Sequence, residues 1–179
     1  PLTLVCRDAL SHVYGVKCRI KKVLKKPPRT HSWEVYVHCK ALLEDMRAIA
    51  PFGIYRWRVP QCVKDGSEEV RAAWIAGMTD ADGCVYYRPE KSKRVVSIDT
   101  VNADGMRGVS ALLSGLGVGN KLYRHKRQHG KAWLHSATYS ARVFDREALE
   151  RFAQLIPLRC ERKRAKLHDA VTSYQRHML

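Results

Sequence analysis

Two aspartates, Asp80 and Asp82, stand at the end of an apolar, small-residue segment and directly before Gly83. The segment predicts a helix over residues 67–83, because Ser67 is a suitable N-cap and glycine is common just beyond a helix C-terminus. Acids at that end oppose the helix dipole, at a cost of about 0.3–1 kcal/mol each. The pair therefore indicates a cation or a basic group that compensates the two charges.

A calcium-binding loop and a turn are two other possible roles for Asp80 and Asp82, and the spacing of the neighbouring residues bears on both. An EF-hand calcium loop needs ligands at positions one, three and five, glycine at six and glutamate at twelve. Gly83 follows the second acid directly and no glutamate stands at the twelfth position, which excludes this kind of site. An Asx-type turn ahead of a strand stays open on the residue types alone.

The composition indicates a polyanionic partner. The 179-residue chain has a formal net charge of +16 and 45% apolar residues, so it can bury a core and still carry a large basic surplus. Nucleic acid is the partner that such a surplus favours. An anionic membrane is the weaker alternative, because the basic residues do not lie along one amphipathic helix. A general RNA-binding protein also explains the charge, but not the acid-ended helix.

The six cysteines are spread singly, without a C-x-x-C pair, which argues against a zinc site or a disulfide framework. The N-terminal residues do not form a signal peptide. Reduced thiols then indicate an intracellular protein, in the cytoplasm of an archaeon or bacterium or in an organelle.

After Gly83 the sequence predicts two strands, a helix, a basic hairpin and another helix. In the second strand, RVVSIDTV, Val96 and Ile98 alternate with Ser97 and Asp99, which fits a sheet with one buried face and one polar face. A glycine-ended helix and a hairpin with its turn near residues 128–130 follow. Residues 144–156 predict the next amphipathic helix, and a basic helical tail completes the series.

The chain also contains an internal duplication, in which each copy reads as a helix, a basic hairpin and a helix. The matched positions are Gly15 and Gly117, Val16 and Val118, Trp33 and Trp133, and Pro51 and Pro157. The second copy is preceded by the acidic helix and two strands, which the first copy lacks. We therefore predict a partial first repeat over 1–58, a linker over 59–66 and a complete half over 67–179.

The segment IAGMTDADG, Ile75 to Gly83, resembles the motif that names the LAGLIDADG homing endonucleases, with six of nine letters identical. The order of elements after it is similar to the αββαββα half of that family. The resemblance implies an α+β fold in which an antiparallel β-sheet saddle binds DNA. It also implies two motif helices, one per half, that pack along their small residues. The residues predicted for this interface are Ala73, Gly77, Asp80 and Ala81.

The resemblance further assigns roles at the helix end. Asp82 is expected to bind a divalent metal ion, with the carbonyl of Ala81 as a further ligand, whereas Asp80 is expected to cap the end of the partner helix. Hard cations prefer oxygen ligands, so Mg²⁺ is the natural ion, with Mn²⁺ or Ca²⁺ as substitutes in the same site.

By the same resemblance, a basic residue between the last strand and last helix of each half stabilises charge on the phosphate. Lys40 matches that position in the first copy and Arg142 in the second, with Arg146 as a rival. Asn102, at the end of the second strand, is expected to position water, or alternatively to serve as the N-cap of the following helix.

Two basic segments, residues 17–29 and 121–131, predict ribbons that enter the major groove and touch its flanking phosphates. The expected DNA contacts are Arg19, Lys21, Arg88, Lys93, Ser97, Asp99, Arg124, Lys126 and His135.

Together these features predict an intron-encoded, site-specific, metal-dependent endonuclease that cuts double-stranded DNA. The alternative is a non-cleaving relative, an RNA maturase or a DNA-binding protein. Because cutting both strands requires two motif helices, the second is expected from an upstream segment, another chain or a second copy in a homodimer.

Overall fold

The computed structural model describes residues 2–24, 32–125 and 137–175. The protein divides into two compact units, Pro1–Ala48 and Ile49–Leu179. This division differs from the predicted boundary at residue 58 and from the predicted linker over 59–66.

The first unit has the predicted order of a helix, a two-stranded hairpin and a helix. Strands β1 and β2 pair antiparallel, from Arg19 opposite Tyr36 to Val23 opposite Ser32. Among the described residues of this unit, Leu42 alone is fully buried. Its elements are α1 (Leu2–Tyr14), β1 (Arg19–Val23), β2 (Ser32–Tyr36) and α2 (Lys40–Ile49).

The second unit contains the acid-ended helix, now α4, and everything after it. Ser67 caps α4 as predicted, since its hydroxyl accepts a hydrogen bond from the Val70 N–H. The elements are α3 (Gln61–Lys64), α4 (Glu68–Asp82), β3 (Gly83–Arg88), a 3₁₀ helix (Pro89–Lys91), β4 (Lys93–Thr100), α5 (Ala103–Gly115), β5 (Lys121–His125), β6 (Thr138–Val143), α6 (Arg146–Leu155) and α7 (Glu161–Gln175).

The four strands of this unit form one antiparallel sheet in the order β3-β4-β6-β5. Alternate residues of the sheet are apolar and at most 3% exposed: Val85, Val96, Ile98, Ala141 and Val143. They form a common core with side chains from α4 to α7: Ile75, Met106, Val109, Leu113, Leu149, Phe152 and Leu167. Burial of each large apolar side chain stabilises the fold by roughly 1.5–3 kcal/mol. An antiparallel sheet with helices on its apolar face confirms the predicted α+β class.

The segment before α4 packs into this core and is not a linker. A Cβ at Gly105 of α5 would lie 2.6 Å from the Trp57 ring, so only glycine permits this approach. Val59 and Val63 are 3% and 8% exposed within the same core. Burial of these apolar side chains explains why residues 49–66 belong to the second unit.

All six cysteines lie in the described ranges, and each is a free thiol. Within those ranges, no helix has both the length and the apolar content that a membrane span requires.

Candidate nucleic-acid interface and metal site

The end of α4 leads directly into strand β3. Gly83 has an extended backbone, with φ −75° and ψ 160°, rather than the left-handed turn that commonly ends a helix. A Cβ at Gly83 would lie 2.7 Å from the Thr79 Cα, so glycine is required by close contact and not by a positive φ. The geometry therefore fixes Asp82 at the junction of the helix and the sheet.

Asp80 is compensated by backbone groups of the same chain. Its side chain is 6% exposed and accepts hydrogen bonds from the backbone N–H groups of Arg159, at 2.7 Å, and Cys160, at 3.1 Å. These groups directly precede α7, whose N-terminus favours negative charge. Asp80 is thus engaged within its own unit, and its role in capping the partner motif helix stays a prediction.

Lys163 supplies the basic group that the end of α4 needs. Its ammonium donates to the carbonyl oxygens of Thr79 and Asp80, each at 2.8 Å, and the residue is 9% exposed. Both carbonyls lie in the last turn of α4, where the helix leaves acceptors without intrahelical partners. The sequence places Lys163 in a basic helical tail, and nothing in the local pattern distinguishes it from its neighbours.

Asp82 and Ala81 remain exposed after these contacts. In the parts of the chain that the structure describes, no hydrogen bond or ion pair engages the Asp82 carboxylate. No cluster of three or more His, Cys, Asp or Glu side chains suited to a metal occurs in these parts either. Asp82 and the Ala81 carbonyl therefore offer oxygen ligands of the type a hard cation prefers, but only part of a full ligand set.

The different environments of the two aspartates give a first prediction. Asp80→Asn is expected to lower the free energy of unfolding by about 1.5–3 kcal/mol, because it weakens charge-assisted hydrogen bonds in a buried site. Lys163→Met should have a similar cost. Urea unfolding followed by circular dichroism measures both, with Asp82→Asn as the exposed control. Equal stability of all three variants and the parent would contradict the assignment.

The polar face of the sheet is opposite to the apolar core. Strand register and alternation place on it Cys84, Tyr86, Arg88, Lys93, Val95, Ser97, Asp99, Lys121, Tyr123, His125, Thr138, Ser140 and Arg142. Four of the predicted DNA contacts, Arg88, Lys93, Ser97 and Asp99, thus share this face, although Ser97 is only 2% exposed and its hydroxyl bonds to Asp99. Arg124 lies on the opposite face, because the strand alternates and its neighbours Tyr123 and His125 occupy the polar one.

Arg142 and Arg146 lie in different layers of the unit. The Arg142 guanidinium lies 3.0 Å from Nε2 of His125 and 4.8 Å from the Tyr123 ring centroid, on the polar face. Arg146 pairs with Glu150 at 2.8 Å and lies 5.7 Å from the Tyr174 ring, among the helices. Only Arg142 therefore shares a face with Cys84, two residues beyond Asp82.

The pKa of Tyr86 is raised on this face. Hydrogen bonding with Cys84 is the largest cause that raises the pKa of the Tyr86 phenol, followed by the charge on Cys84, burial and the negative charge of Asp99, while Arg142 opposes them. Like any tyrosine at neutral pH, Tyr86 carries its phenol proton and can donate a hydrogen bond.

Comparison with known proteins decides the family. Residues 69–157 match the family model of the LAGLIDADG-like domain. The chain belongs to the LAGLIDADG family. Helix α4 is its LAGLIDADG helix, and Asp80 and Asp82 are the acids of its motif.

Solved structures support the same fold. A mesophilic variant of the homing endonuclease I-DmoI is 21% identical, with a TM-score of 0.56 over 94% of this chain and 75% of that chain. An I-DmoI variant in complex with its target DNA in the presence of magnesium is 20% identical, with a TM-score of 0.52 over 83% and 68%.

Curated sequences give a more distant likeness. The chain is 18% identical over 135 residues to the ribonucleoside-diphosphate reductase NrdEB subunit alpha of Bacillus subtilis and of Bacillus phage SPbeta. The match covers 70% of this chain but 12% of the reductase, so the chain spans about an eighth of the length of these relatives. No reductase activity follows from so short a segment.

The exposed side of the LAGLIDADG helix carries Ala73, Gly77 and Ala81. A Cβ at Gly77 would meet no atom within 4 Å, so nothing in the described part of its own unit demands glycine there. Asp80 does not lie on this side, since it is buried against the segment before α7. Three of the four residues predicted for the motif-helix interface thus share one exposed stripe.

Asn102 is the N-cap of α5. Its side-chain oxygen accepts from the Gly105 N–H at 3.0 Å, and its amide donates to the Trp57 carbonyl at 2.6 Å, with 3% exposure. The side chain is thus engaged in the fold, which fits the second of its two predicted roles and not the positioning of water.

A second prediction follows from this cap. Asn102→Ala is expected to lower the free energy of unfolding by about 1 kcal/mol, because one N–H of α5 loses its partner. Asn102→Asp should keep the cap but lose the hydrogen bond to the Trp57 carbonyl, because a carboxylate cannot donate, so it should also lower the free energy of unfolding. Thermal and urea unfolding of the two variants distinguish the roles, and a stable Asn102→Ala protein that binds DNA but does not cut it would restore the water-positioning role.

The remaining predicted residues lie in the first unit or outside the described ranges. Lys40 is exposed at the start of α2 and pairs with Glu44 at 3.6 Å. Arg19 and Lys21 are exposed at alternate positions of β1, on one face of its hairpin. Lys126 and His135 lie outside the described residues.

Proposed function

We propose that the protein is a site-specific endonuclease that hydrolyses phosphodiester bonds within a long double-stranded DNA target. The observation that carries the proposal is that Asp82 is exposed, has no hydrogen-bond or ion-pair partner among the described residues, and lies next to a basic sheet face. Asp80 and the carbonyls before Asp82 are already satisfied by α7, so Asp82 is the acid left for external chemistry. An intron-encoded origin and a site of action in the cytoplasm or an organelle belong to the same proposal.

DNA binding is supported by the composition of the polar face. Arg88, Lys93, Lys121 and Arg142 carry positive charge there, and Tyr86 is a polar group among them. Phosphate contacts from such residues give affinity and register, and side chains that reach base edges give sequence preference. Arg19 and Lys21 of the first unit extend the same role to its hairpin.

Asp82 and the Ala81 carbonyl offer only part of the ligand set that a divalent cation needs. The Asp82 carboxylate and the Ala81 carbonyl would hold it, and a magnesium ion bound there would supply Lewis-acid stabilisation of the phosphate oxygens. Arg142, on the same face, would stabilise negative charge on the phosphate, and Lys40 is the corresponding candidate of the first unit. Asp80 and Lys163 act indirectly, because they fix the end of the helix that carries Asp82.

The incomplete ligand set supports a second motif helix in the active assembly. The exposed stripe of Ala73, Gly77 and Ala81 would allow the backbone of a second helix to approach closely. An upstream segment, another chain or a second copy of this chain could supply that helix.

The exposed apolar side chains of α2 independently support a segment that covers this helix. Leu43, Met46 and Ile49 of α2 are 42%, 38% and 45% exposed. The offset of 106 between Pro51 and Pro157 matches these positions to Leu149, Phe152 and Leu155 of α6. Leu149 and Phe152 are at most 1% exposed in their own unit. We infer that a helix and two strands, the counterparts of α4, β3 and β4, cover this face of the first unit.

A non-cleaving relative, an RNA maturase or a DNA-binding protein, is the second candidate. It is supported because Asp82 is the only exposed acid of the motif among the described residues, Asp80 being buried.

The deciding experiment incubates the full chain with a randomised DNA duplex library, first with calcium to recover bound sequences and then with magnesium to recover cut ends. Cleavage at one long site would support the endonuclease. Specific binding without cleavage would favour a non-cleaving DNA-binding protein. No preference for any duplex sequence would overturn both the endonuclease and the DNA-binding protein and leave the RNA maturase.

A further inference from the structure

Asp99 is an isolated acid on a basic surface. In the described strands of the four-stranded sheet, it is the only acidic residue. It lies on the polar face, on the central strand β4, opposite Ser140 of β6. A carboxylate at this place repels phosphate, so it lowers non-specific affinity for DNA and calls for another explanation.

The Asp99 carboxylate is held by hydroxyl groups rather than by a cation. Ser97 Oγ lies 3.2 Å from both carboxylate oxygens, and Ser140 Oγ donates to Oδ1. The two serines are 2% and 0% exposed. Over residues 2–24, 32–125 and 137–175, no Lys, Arg or His lies within ion-pair distance of Asp99. The charge is therefore oriented but not neutralised, which leaves it available to a donor from outside.

The chemistry of that donor is restricted. An ionised carboxylate only accepts hydrogen bonds, so it cannot pair with O6 and N7 of guanine or O4 of thymine, which are acceptors. The amino groups of cytosine and adenine are the remaining donors in the major groove. The adenine amino group lies beside the acceptor N7, which repels a carboxylate, whereas the cytosine amino group has no such neighbour on its own base.

We propose that Asp99 reads one cytosine of the DNA target through the N4 amino group, and that Ser97 and Ser140 fix its carboxylate for this contact. The inference rests on the proposed DNA-binding function and adds one element of its specificity. Ile98 pairs with Gly83, so Asp99 lies beside the end of α4. The cytosine is therefore expected close to the bond that is cut.

The test compares the sequence preferences of variants of the full chain, selected from a randomised duplex library in the presence of calcium. For the parent, one position near the centre of the selected site should be cytosine. Asp99→Asn should lose that preference by about tenfold or more at this position alone, since a good base contact contributes about 1–3 kcal/mol of discrimination. Because an amide both donates and accepts, adenine should gain most.

Two further variants separate base reading from other roles. Ser140→Ala should weaken the base preference at the same position without changing the preferred base, because the Asp99 carboxylate loses one of the two hydroxyl groups that orient it. Lys93→Ala, as the matched control on the same strand, should weaken binding to all duplexes alike and reduce its salt dependence. Thermal unfolding of each variant shows that the protein compared is folded.

Several outcomes would overturn the proposal. One is an unchanged base preference in a folded Asp99→Asn protein; if that variant also failed to cleave DNA, Asp99 would belong to the metal site. Another is a preference of the parent protein for adenine at the affected position. Failure of the proposed function looks different, because the parent protein itself would then select no sequence.

Discussion

Asp82→Asn is expected to reduce DNA cleavage in magnesium by about a thousandfold while leaving the free energy of unfolding within about 0.5 kcal/mol of the parent value. The first effect follows because metal-ion stabilisation of a phosphate is worth several kcal/mol, and each 1.36 kcal/mol is a factor of ten in rate. The second follows because Asp82 is exposed and has no partner in the described chain. Single-turnover cleavage of the selected target and urea unfolding measure the two quantities.

A measurement of DNA binding in calcium distinguishes a loss of catalysis from a loss of DNA contact. In calcium, Asp82→Asn should select the same target sequence as the parent, because the sheet face is unchanged. Asp80→Asn is the matched control two residues away, and it should lose stability. If Asp82→Asn cut DNA at the parent rate, Asp82 would not hold the metal ion. If the parent bound its target but never cut it, the non-cleaving candidate would replace the endonuclease.

Phe152→Ala is expected to lower the free energy of unfolding of the second unit by about 3–5 kcal/mol, because it leaves a cavity in a closed core. Phe152 is completely buried between the sheet and the helices. Met46→Ala, at the matched position of the first copy, is expected to cost less than about 0.5 kcal/mol, since Met46 is 38% exposed. Urea unfolding of each variant measures the two values.

The same pair of variants tests whether a further segment covers the first unit. Met46→Ala should become strongly destabilising once a helix–strand–strand segment, such as an added copy of residues 67–101, binds the face of α2. Titration of that segment against the parent and the Met46→Ala protein gives the two affinities. Equal affinities, or a large cost of Met46→Ala in the chain by itself, would contradict an uncovered face completed by such a segment.

Local sequence patterns determined the elements around the site. Ser67 and the acids that follow it predicted the start of α4, and the helix runs from Glu68 to Asp82, within one residue of the predicted bounds at each end. The alternation of Val96 and Ile98 with Ser97 and Asp99 predicted which side of β4 is buried. These features depend on neighbours within a few positions, where backbone propensity and side-chain periodicity act directly.

The sequence also determined the family, because the motif IAGMTDADG, its position and the following elements are all local features. The resemblance also assigned the external role to Asp82 and a structural role to Asp80, but the sequence did not show which groups hold Asp80. The partners of Asp80 lie 79 and 80 positions away, and Lys163 meets the helix end from 83 and 84 positions away. Such contacts arise only when α7 packs against the sheet and α4, so no spacing along the chain reports them.

Tertiary structure likewise decided between candidates that local spacing left open. Alternation along β5 and β6 places Arg142 on the polar face and Arg124 on the other, while Arg146 belongs to the helical layer. Packing of Trp57 against Gly105 brought residues 49–66 into the second unit. The sequence by itself determined the helix, the acids and the basic strands, because these follow from local chemistry. Only the fold decided that Asp80 bonds to the segment before α7 while Asp82 has no partner among the described residues. Burial and long-range hydrogen bonds exist only in the packed chain.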